Sequence, residues 1–190
     1  MKILIFLLFS VACYAQKMDT IYHDNGKIFA VGQWSEGATG EWKYYNENGR
    51  LESIINYRND KLDGEYKVFY ENEQIEYIGY YVNDKQEGKH MSFYENGQLK
   101  ELSHYANGKA EGEYRGFHEN GQLEYIGRYA NNKQEGTHKT FYENGQLKEL
   151  SHYVNGKAEG EWKLFSRNGK DIYIEEYLNG ERLSYRRIHE

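Results

Sequence analysis

Apolar and aromatic residues recur along the chain with a period of 24 residues, and within each period they alternate with polar residues as strands do. We number each repeat from an opening glycine at position 0. Position 5 is Tyr or Phe, position 14 is Ile or Leu, and position 17 is Tyr in all six regular repeats. The opening glycines are Gly40, Gly64, Gly88, Gly112, Gly136 and Gly160. A fixed period of this length predicts stacked copies of one small unit, each too small to hold a core alone.

Two turn signals divide each repeat into two strands. Position 8 is always Asn, and position 9 is Gly in five of the six repeats, with Glu73 as the exception. Asn-Gly between two strand-like runs predicts a two-residue type I′ turn, which needs positive φ at both residues. Position 19 is again always Asn, followed by Gly, Asp or Asn, which predicts a second tight turn between hairpins. The chain is therefore predicted to form an up-and-down antiparallel meander.

The predicted first turn also fixes the register and the faces of the sheet. It pairs position 7 with 10, 5 with 12 and 3 with 14, so positions 5 and 14 share one face. Positions 2, 6, 11, 13, 15 and 17 share the other face, which carries more apolar and aromatic residues. The predicted fold class is all-β, an elongated single-layer antiparallel meander of about seven stacked β-hairpin repeats.

Residues 16–190 are predicted to form a single repeat domain. Residues 17–39 read as a degraded first repeat, one residue short, with Trp34 in register. The regular repeats start near residues 40, 64, 88, 112, 136 and 160. The tail after Gly180 is predicted to add one closing strand. Atypical end units of this kind are usual in repeat arrays.

Residues 1–15 have the pattern of a secretory signal peptide. Lys2 supplies the positive end, an apolar run follows, and small residues precede a predicted cut after Ala15. The run is shorter than the about 20 apolar residues of a membrane-spanning helix. Two alternatives stay open: an apolar N-terminal core strand, and lipid anchoring at Cys13. Residues 10–13 resemble a lipoprotein cleavage box, except that Ser occupies the place where Leu or Val is usual.

Composition narrows the class of partner. The formal net charge is −6, and no run of Lys and Arg occurs, so a nucleic-acid partner is not expected. Proline is absent and there are 20 tyrosines, which fits a chain composed mainly of strands. Cys13 is the only cysteine, so a chain cut after Ala15 has no disulfide.

The sequence contains no recognisable catalytic arrangement: it has no nucleophile motif, no phosphate-binding glycine loop and no metal-ligand spacing. We therefore expect no enzymatic activity and no cofactor. Five histidines recur at positions 2, 6 and 16, but positions 2 and 16 are predicted to face opposite ways, so no metal site is expected. A glutamate row at the turn entries is interpreted as solvated charge, with a calcium or basic-partner site as the alternative: Glu47, Glu71, Glu95, Glu119 and Glu143.

A second periodicity of 48 residues points to a candidate binding surface. Position 13 alternates between Tyr and Glu from residue 77 to 173, and position 15 alternates between Gly and Ser from residue 79 to 151. We predict a tyrosine stripe that contacts an extended partner, because tyrosine is an effective anchor at interfaces. Its members are Tyr70, Tyr77, Tyr94, Tyr125, Tyr142 and Tyr173. The alternative is that these tyrosines pack across neighbouring strands within the sheet.

The repeat motif G-x-[WY]-x-x-[FY]-Y-E-N-G-Q-L…Y-x-N-G-K resembles the MORN-repeat variant of bacterial YwqK-type antitoxin proteins. The segments FYENGQL at residues 93–99 and YANGK at residues 105–109 carry this resemblance, which covers residue 22 to about 180. It implies a single-layer β-meander and a role in protein binding, including toxin neutralisation. MORN repeats in general are also linked to membrane or lipid contact and to assembly.

These features together predict an exported, non-enzymatic repeat protein that binds another protein in an antitoxin-like manner. The predicted location is the periplasm, the cell surface or the medium. One alternative is an envelope or surface structural protein that contacts lipid or glycan, and another is an adhesion or virulence factor. A local hydrophobic or basic patch would favour lipid, whereas aromatic rows bordered by Asn and Glu would favour glycan. The sequence predicts no oligomeric state.

Overall fold

A computed structural model describes residues 18–189, which form strands joined by turns. The strands are β1 Met18–Tyr22, β2 Ile28–Trp34, β3 Ala38–Tyr45, β4 Leu51–Arg58, β5 Lys61–Phe69, β6 Ile75–Val82, β7 Lys85–Phe93, β8 Leu99–Ala106, β9 Lys109–Ala110, β10 Gly112–Phe117, β11 Leu123–Ala130, β12 Lys133–Gln134, β13 Gly136–Phe141, β14 Leu147–Val154, β15 Lys157–Ala158, β16 Gly160–Phe165, β17 Asp171–Leu178 and β18 Glu181–His189. They form one sheet. The predicted signal peptide and Cys13 lie outside the described residues.

Antiparallel pairing of sequence neighbours confirms the predicted all-β meander of hairpins. The degraded first repeat forms the β1–β2 hairpin, and the tail forms β18 against β17. The described part of the chain has 18 strands because three are interrupted at single residues, Glu111, Glu135 and Glu159. β9 and β10, for example, both pair with β8, so they are two segments of one strand.

The first turn of each regular repeat differs from the predicted type I′ turn. In the repeat that starts at Gly88, the N–H of Tyr94 donates to the carbonyl of Gln98, and the N–H of Gly97 donates to Tyr94. Within this turn only Gly97 has positive φ, at 82°. This geometry is a three-residue loop in which a type I turn is followed by a left-handed glycine and a bulge. Asn96 stays right-handed, and its side-chain oxygen accepts a bond from the Gln98 N–H at 2.9 Å.

The bulge shifts the register by one residue near the turn. Met91 pairs with Leu102, which confirms the predicted pairing of position 3 with 14. Phe93 then pairs with Leu99, so position 5 lies opposite position 11 and not opposite position 12. The predicted pairing of positions 5 and 12 occurs in the last repeat, where Phe165 pairs with Ile172 without a register shift.

The second turns confirm the prediction of a tight connection. Val82 pairs with Lys85 and Ala106 pairs with Lys109, leaving two residues in each turn. In the first of these turns, Asn83 and Asp84 both have positive φ, at 47° and 67°. Positive φ at both central residues defines a type I′ turn, whose twist matches that of the flanking strands.

The two faces of the sheet largely follow the predicted division. Positions 2, 13, 15 and 17 lie together with position 4 on one face, which we call the tyrosine face, and positions 5 and 14 lie on the other. Position 11 was predicted on the tyrosine face, and that prediction was wrong. The bulge turns position 11 over to join positions 5 and 14, and we call this second surface the apolar face. Position 6 precedes the turn, outside the strands.

The most buried side chains follow a line along the tyrosine face, where positions 2 and 15 alternate. Trp42 and His90 are each 2% exposed, and His138 is 5% exposed. In the repeats that start at Gly88 and Gly136, the ring at position 2 extends over the glycine at position 15 of the preceding repeat. A β-carbon added to Gly79 would stand 2.5 Å from Nδ1 of His90, and one added to Gly127 would stand 2.6 Å from Nδ1 of His138. Glycine therefore provides the space that the next repeat's ring occupies.

Side chains at the turns connect each repeat to the next. Asn72 Nδ2 donates to the carbonyl of Glu95 at 2.8 Å, and equivalent bonds follow from Asn96 and Asn120. On the opposite edge, Glu87 accepts a bond from the Asn107 N–H at 2.8 Å. The same contact recurs from Glu111, Glu135 and Glu159. Since these bonds join groups about one repeat apart, they hold the turns in register along both edges.

We predict that replacing Gly127 with Ala destabilises the protein by about 1–3 kcal/mol, the usual cost of overpacking a filled site. In a strand with ordinary φ, the same change would otherwise be neutral or stabilising, because alanine restricts the unfolded chain. Urea unfolding followed by circular dichroism measures the difference. Ser103→Ala, at the equivalent position of the preceding repeat, is the control and should change stability by less than about 0.5 kcal/mol. Equal stabilities of the two variants would contradict the ring-over-glycine contact.

Candidate functional site

The six tyrosines of the predicted stripe lie in two separate rows. Tyr70, Tyr94 and Tyr142 stand at the first turns, and each hydroxyl donates to the carbonyl of position 5 in the next repeat, at 2.7 Å. Tyr77, Tyr125 and Tyr173 stand within strands on the tyrosine face. The tyrosines of the turn row therefore connect consecutive repeats by hydrogen bonds, while their half-buried rings stay partly accessible.

The strand tyrosines belong to a continuous cross-strand row formed by positions 4 and 13. Successive neighbours in this row are Tyr77, Ser92, Glu101, Gly116, Tyr125, Thr140, Glu149, Leu164 and Tyr173. The three tyrosines are thus separated by acidic residues, small residues and Leu164, and they do not touch one another. Tyr173 instead stacks on Tyr185 of the last strand, with ring centroids 6.0 Å apart.

Tyr77 contacts the next repeat. Its hydroxyl is hydrogen-bonded to Nδ1 of His90, whose Nε2 lies 3.0 Å from the carbonyl of Tyr80. A carbonyl only accepts, so the bond network assigns the proton to Nε2 and leaves Nδ1 to accept from the phenol. The ring of His90 also packs against Tyr81 and Tyr105, with centroids 5.5 Å and 4.8 Å away.

Tyr125 occupies the equivalent position two repeats later but contacts the preceding repeat. Its hydroxyl donates to Oε2 of Glu101 at 2.7 Å. The ring lies directly over Gly116, where an added β-carbon would stand 2.2 Å from Cζ of Tyr125. The residue equivalent to Gly116 beside Tyr77 is Val68. With Tyr125 directed toward Glu101, His138 Nδ1 bonds to Tyr114 at 2.8 Å.

A concavity of about 560 Å³ lies among these residues on the tyrosine face. Its wall includes the rings of Tyr105, Tyr114, Tyr125, Tyr129 and Tyr153, together with Glu101, Ser103, Gln134, His138, Thr140, Glu149 and Ser151. Glu113, Ile126 and Lys139, whose positions belong to the apolar face, also border it. This volume falls within the range of about 300–1,000 Å³ typical of small-ligand pockets. It is an open depression in a single sheet, which suits a protruding side chain or a small molecule.

Burial keeps the titratable rings of this surface neutral. Loss of solvent raises the pKa of Tyr114 to about 12. Burial also raises the pKa of Tyr125, and the hydrogen bond and negative charge of Glu101 add to the effect. Burial lowers the pKa of His90 and of His138. At neutral pH these groups therefore offer hydrogen bonds and ring faces without charge.

The apolar face presents a different surface. Half-buried Phe93, Leu99 and Leu102 represent its central apolar row. Charged pairs border this row, for example Arg115 with Glu113 at 2.5 Å. A shallow depression of about 700 Å³ near Ile126 includes Arg128, Thr137 and Lys139. Within residues 18–189, no helix is long and apolar enough to cross a membrane.

Several residues of the concavity were missed at the sequence level, namely Glu101, Tyr114, Thr140 and Glu149, and so was Gly116, which lies under the Tyr125 ring. The available signal was position 4, which varies among Tyr, Val, Ser, Gly, Thr and Leu while its neighbours repeat. Residues 18–189 contain no cluster of three or more His, Cys, Asp or Glu side chains suited to a metal ion.

Comparison with protein families agrees with this geometry. The family model described as MORN repeat variant matches five consecutive segments, residues 38–59, 62–83, 86–107, 110–131 and 134–155, which together cover more than half of the chain. The chain belongs to the MORN repeat variant family. No curated protein matches the sequence. MORN repeats commonly serve as protein- or membrane-binding modules, which agrees with an open surface of stacked hairpins.

We predict that stability falls as the pH is lowered below about 6.5, the ordinary pKa of histidine in an unfolded chain. His90 and His138 have lowered pKa values in the folded protein, so the unfolded chain binds protons first. Their stabilising effect is complete above pH 6.5 and is lost as the pH falls through the folded-state pKa values. Urea unfolding at pH 7.5, 6.5 and 5.5 measures this dependence.

Replacing His90 and His138 with Gln should flatten this pH dependence, although it lowers stability at every pH. The matched control replaces the exposed His104 and His152, which lie on the opposite face, and should retain the wild-type dependence. If the control flattens the profile as much as the buried pair does, then burial of His90 and His138 is not the cause.

We also predict that Tyr94→Phe costs about 0.5–1.5 kcal/mol of stability, because it removes the hydroxyl bond to the carbonyl of Phe117. Tyr80→Phe is the control, since Tyr80 is 48% exposed and lies on the apolar face. Thermal and urea unfolding compare the two variants. A neutral Tyr94→Phe substitution would show that this hydroxyl does not hold the repeats together, and would return Tyr94 to the candidate binding residues.

Proposed function

We propose that the protein is an exported, non-enzymatic module that binds another protein through its tyrosine face. The observation that carries this proposal is the concavity of about 560 Å³ on that face, with five tyrosine rings in its wall. Tyrosine is enriched among residues that dominate binding energy, because it offers a large rigid area and one hydroxyl. The neighbouring turns are cross-linked by hydrogen bonds, so little ordering cost is expected on binding.

The proposal of export rests on residues 1–15, whose pattern is that of a signal peptide. The alternative is that the exported protein is anchored to a membrane by a lipid on Cys13. The resemblance to YwqK-type antitoxins supports a narrower version in which the partner is a toxin located outside the cytoplasm. In that version the tyrosine face covers a surface of the toxin, and the protein needs no catalytic group of its own.

A second candidate function is contact with an envelope lipid through the apolar face. The specific observation that favours it is the half-buried apolar row beside Arg128 and Lys139. This candidate is weaker because the basic residues alternate with glutamates that pair with them, as in Lys67–Glu65 and Lys163–Glu161. Such pairing reduces the local positive charge that attracts an anionic lipid surface.

Affinity capture with the full chain, tagged at its C-terminus and expressed in its source cell, tests the proposal. We expect one saturable protein partner in the envelope or secreted fraction, identified by mass spectrometry. A Tyr77→Ser/Tyr125→Ser variant should lose at least about 90% of this partner, since hot-spot truncation costs 2 kcal/mol or more. Tyr80→Ser, on the opposite face, should retain it.

Circular dichroism and a melting curve must show that both variants are folded before capture is compared. A folded Tyr77→Ser/Tyr125→Ser variant that captures as much partner as wild type would refute binding through the tyrosine face. Capture of lipid or glycan, with no protein partner from a folded bait, would replace the proposal by its alternative.

A further inference from the structure

The concavity lies where the cross-strand neighbours of two equivalent tyrosines, Tyr77 and Tyr125, differ. Gly116 stands at position 4 beside Tyr125, and Val68 stands at position 4 beside Tyr77. The Tyr125 ring occupies the space that a side chain at residue 116 would fill. Tyr77 has no such space beside Val68, and its hydroxyl bonds to His90 in the next repeat. Gly116 therefore determines that Tyr125 turns away from Thr140 and Glu149.

This orientation of the Tyr125 ring leaves two polar groups without protein partners. Thr140 and Glu149 are direct cross-strand neighbours on β13 and β14. The hydroxyl of Thr140 is covered from solvent, yet within residues 18–189 it has no hydrogen-bond partner. The half-buried carboxylate of Glu149 likewise makes no hydrogen bond or ion pair with the described residues. A covered hydroxyl without a partner is rare and costly, and the half-buried carboxylate beside it also lacks a donor, so the pair indicates a place for a donor group.

The charge of the site selects the ligand class. On the tyrosine face of the three repeats from Gly88 to Glu159, positions 0, 2, 4, 13, 15 and 17 contain no Lys or Arg. The ionised side chains there are Glu101 and Glu149, since the buried histidines are neutral. Lys139 also borders the concavity, but its place in β13 alternates onto the apolar face.

Two features disfavour a bare metal ion. Glu101 and Glu149 stand on β8 and β14, four strand spacings or about 19 Å apart, so they cannot share one ion. Glu101 is also occupied by the hydroxyl of Tyr125. What remains at Glu149 is one free carboxylate beside tyrosine rings, which is the combination that binds an organic cation by ion pairing and cation–π contact.

We propose that this concavity is a subsite for a cationic side chain, the guanidinium of Arg or the ammonium of Lys, presented by the protein partner. Glu149 is the charged anchor, and the ring of Tyr153, which borders the same part of the concavity, contacts the aliphatic stem. An N–H group of the cation supplies the donor that the Glu149 carboxylate lacks, beside the covered hydroxyl of Thr140. Glu101 holds Tyr125 in its turned position. The proposal rests on the proposed function, because it names the chemistry that the tyrosine face recognises.

The test uses the full chain labelled with ¹⁵N and the probe peptide acetyl-Gly-Arg-Gly-amide. We expect saturable shifts of the Thr140 and Glu149 amides, with a Kd of about 1–10 mM, as befits a single side chain. The matched probe contains citrulline, which has the shape of arginine without its charge, and should bind about tenfold more weakly. Equal affinities for the two probes would overturn the proposal.

Two variants assign the effect to this site. Glu149→Gln keeps the size of the anchor and should weaken arginine-peptide binding about tenfold. Gly116→Val should displace Tyr125 and abolish the shifts. Glu143→Gln removes an exposed acid at the turn of the same repeat and should leave binding unchanged. Binding that is unaffected by Glu149→Gln, in a folded variant, would overturn the proposal even if Gly116→Val fails to fold.

Titration with chitotriose separates the glycan alternative. Shifts of the same amides with this neutral sugar, and none with the arginine peptide, would overturn the cation subsite in favour of a glycan site. The capture experiment can fail independently of the peptide titration. If the arginine peptide binds, but the Tyr77→Ser/Tyr125→Ser variant captures as much partner as wild type, the subsite is upheld and protein binding through the tyrosine face is refuted. Lost capture without any peptide binding would leave the proposed function and refute the subsite.

Discussion

The contact between a ring at position 2 and the residue at position 15 of the preceding repeat is the interaction on which this fold depends. A single-layer sheet has no second layer to cover its side chains, so burial must come from neighbouring strands. His90 over Gly79 and His138 over Gly127 achieve burial of 95% or more in this way. Each repeat thus completes the core of its neighbour, and an isolated hairpin would bury neither ring.

The same dependence explains why polar side chains are so regular at the turns. A stack of hairpins held only by ladder bonds would slip easily where the two faces are similar. Here Asn at position 8 and the acidic residue at position 23 bond to the main chain of the next repeat. The tyrosine hydroxyls at position 6 do the same. These bonds recur at fixed spacing, so a slip of one residue would break all of them together.

The sequence predicted the hairpins, their order, the second turns and the face of most positions, because these follow from period and turn chemistry. It did not predict the first turn, since Asn-Gly serves both a type I′ turn and a type I turn with a bulge. The bond from the Gln98 N–H to the Asn96 side chain favours the second form. The face of position 11 was wrong for the same reason, because one bulged residue reverses the alternation of the strand.

The candidate site was less predictable than the fold, because it depends on differences between repeats and not on their common pattern. Tyr77 and Tyr125 are the same residue at the same position, yet their hydroxyls bond to opposite neighbours. The residue that decides the direction of the ring is the cross-strand neighbour at position 4. This position varies among the repeats, so it does not appear in their common sequence pattern. In a repeat protein the common residues build the scaffold, so a distinct site must arise where a small residue releases one ring from the shared arrangement. Gly116 is such a residue, and the unpartnered oxygens beside Tyr125 are the chemical consequence of that release.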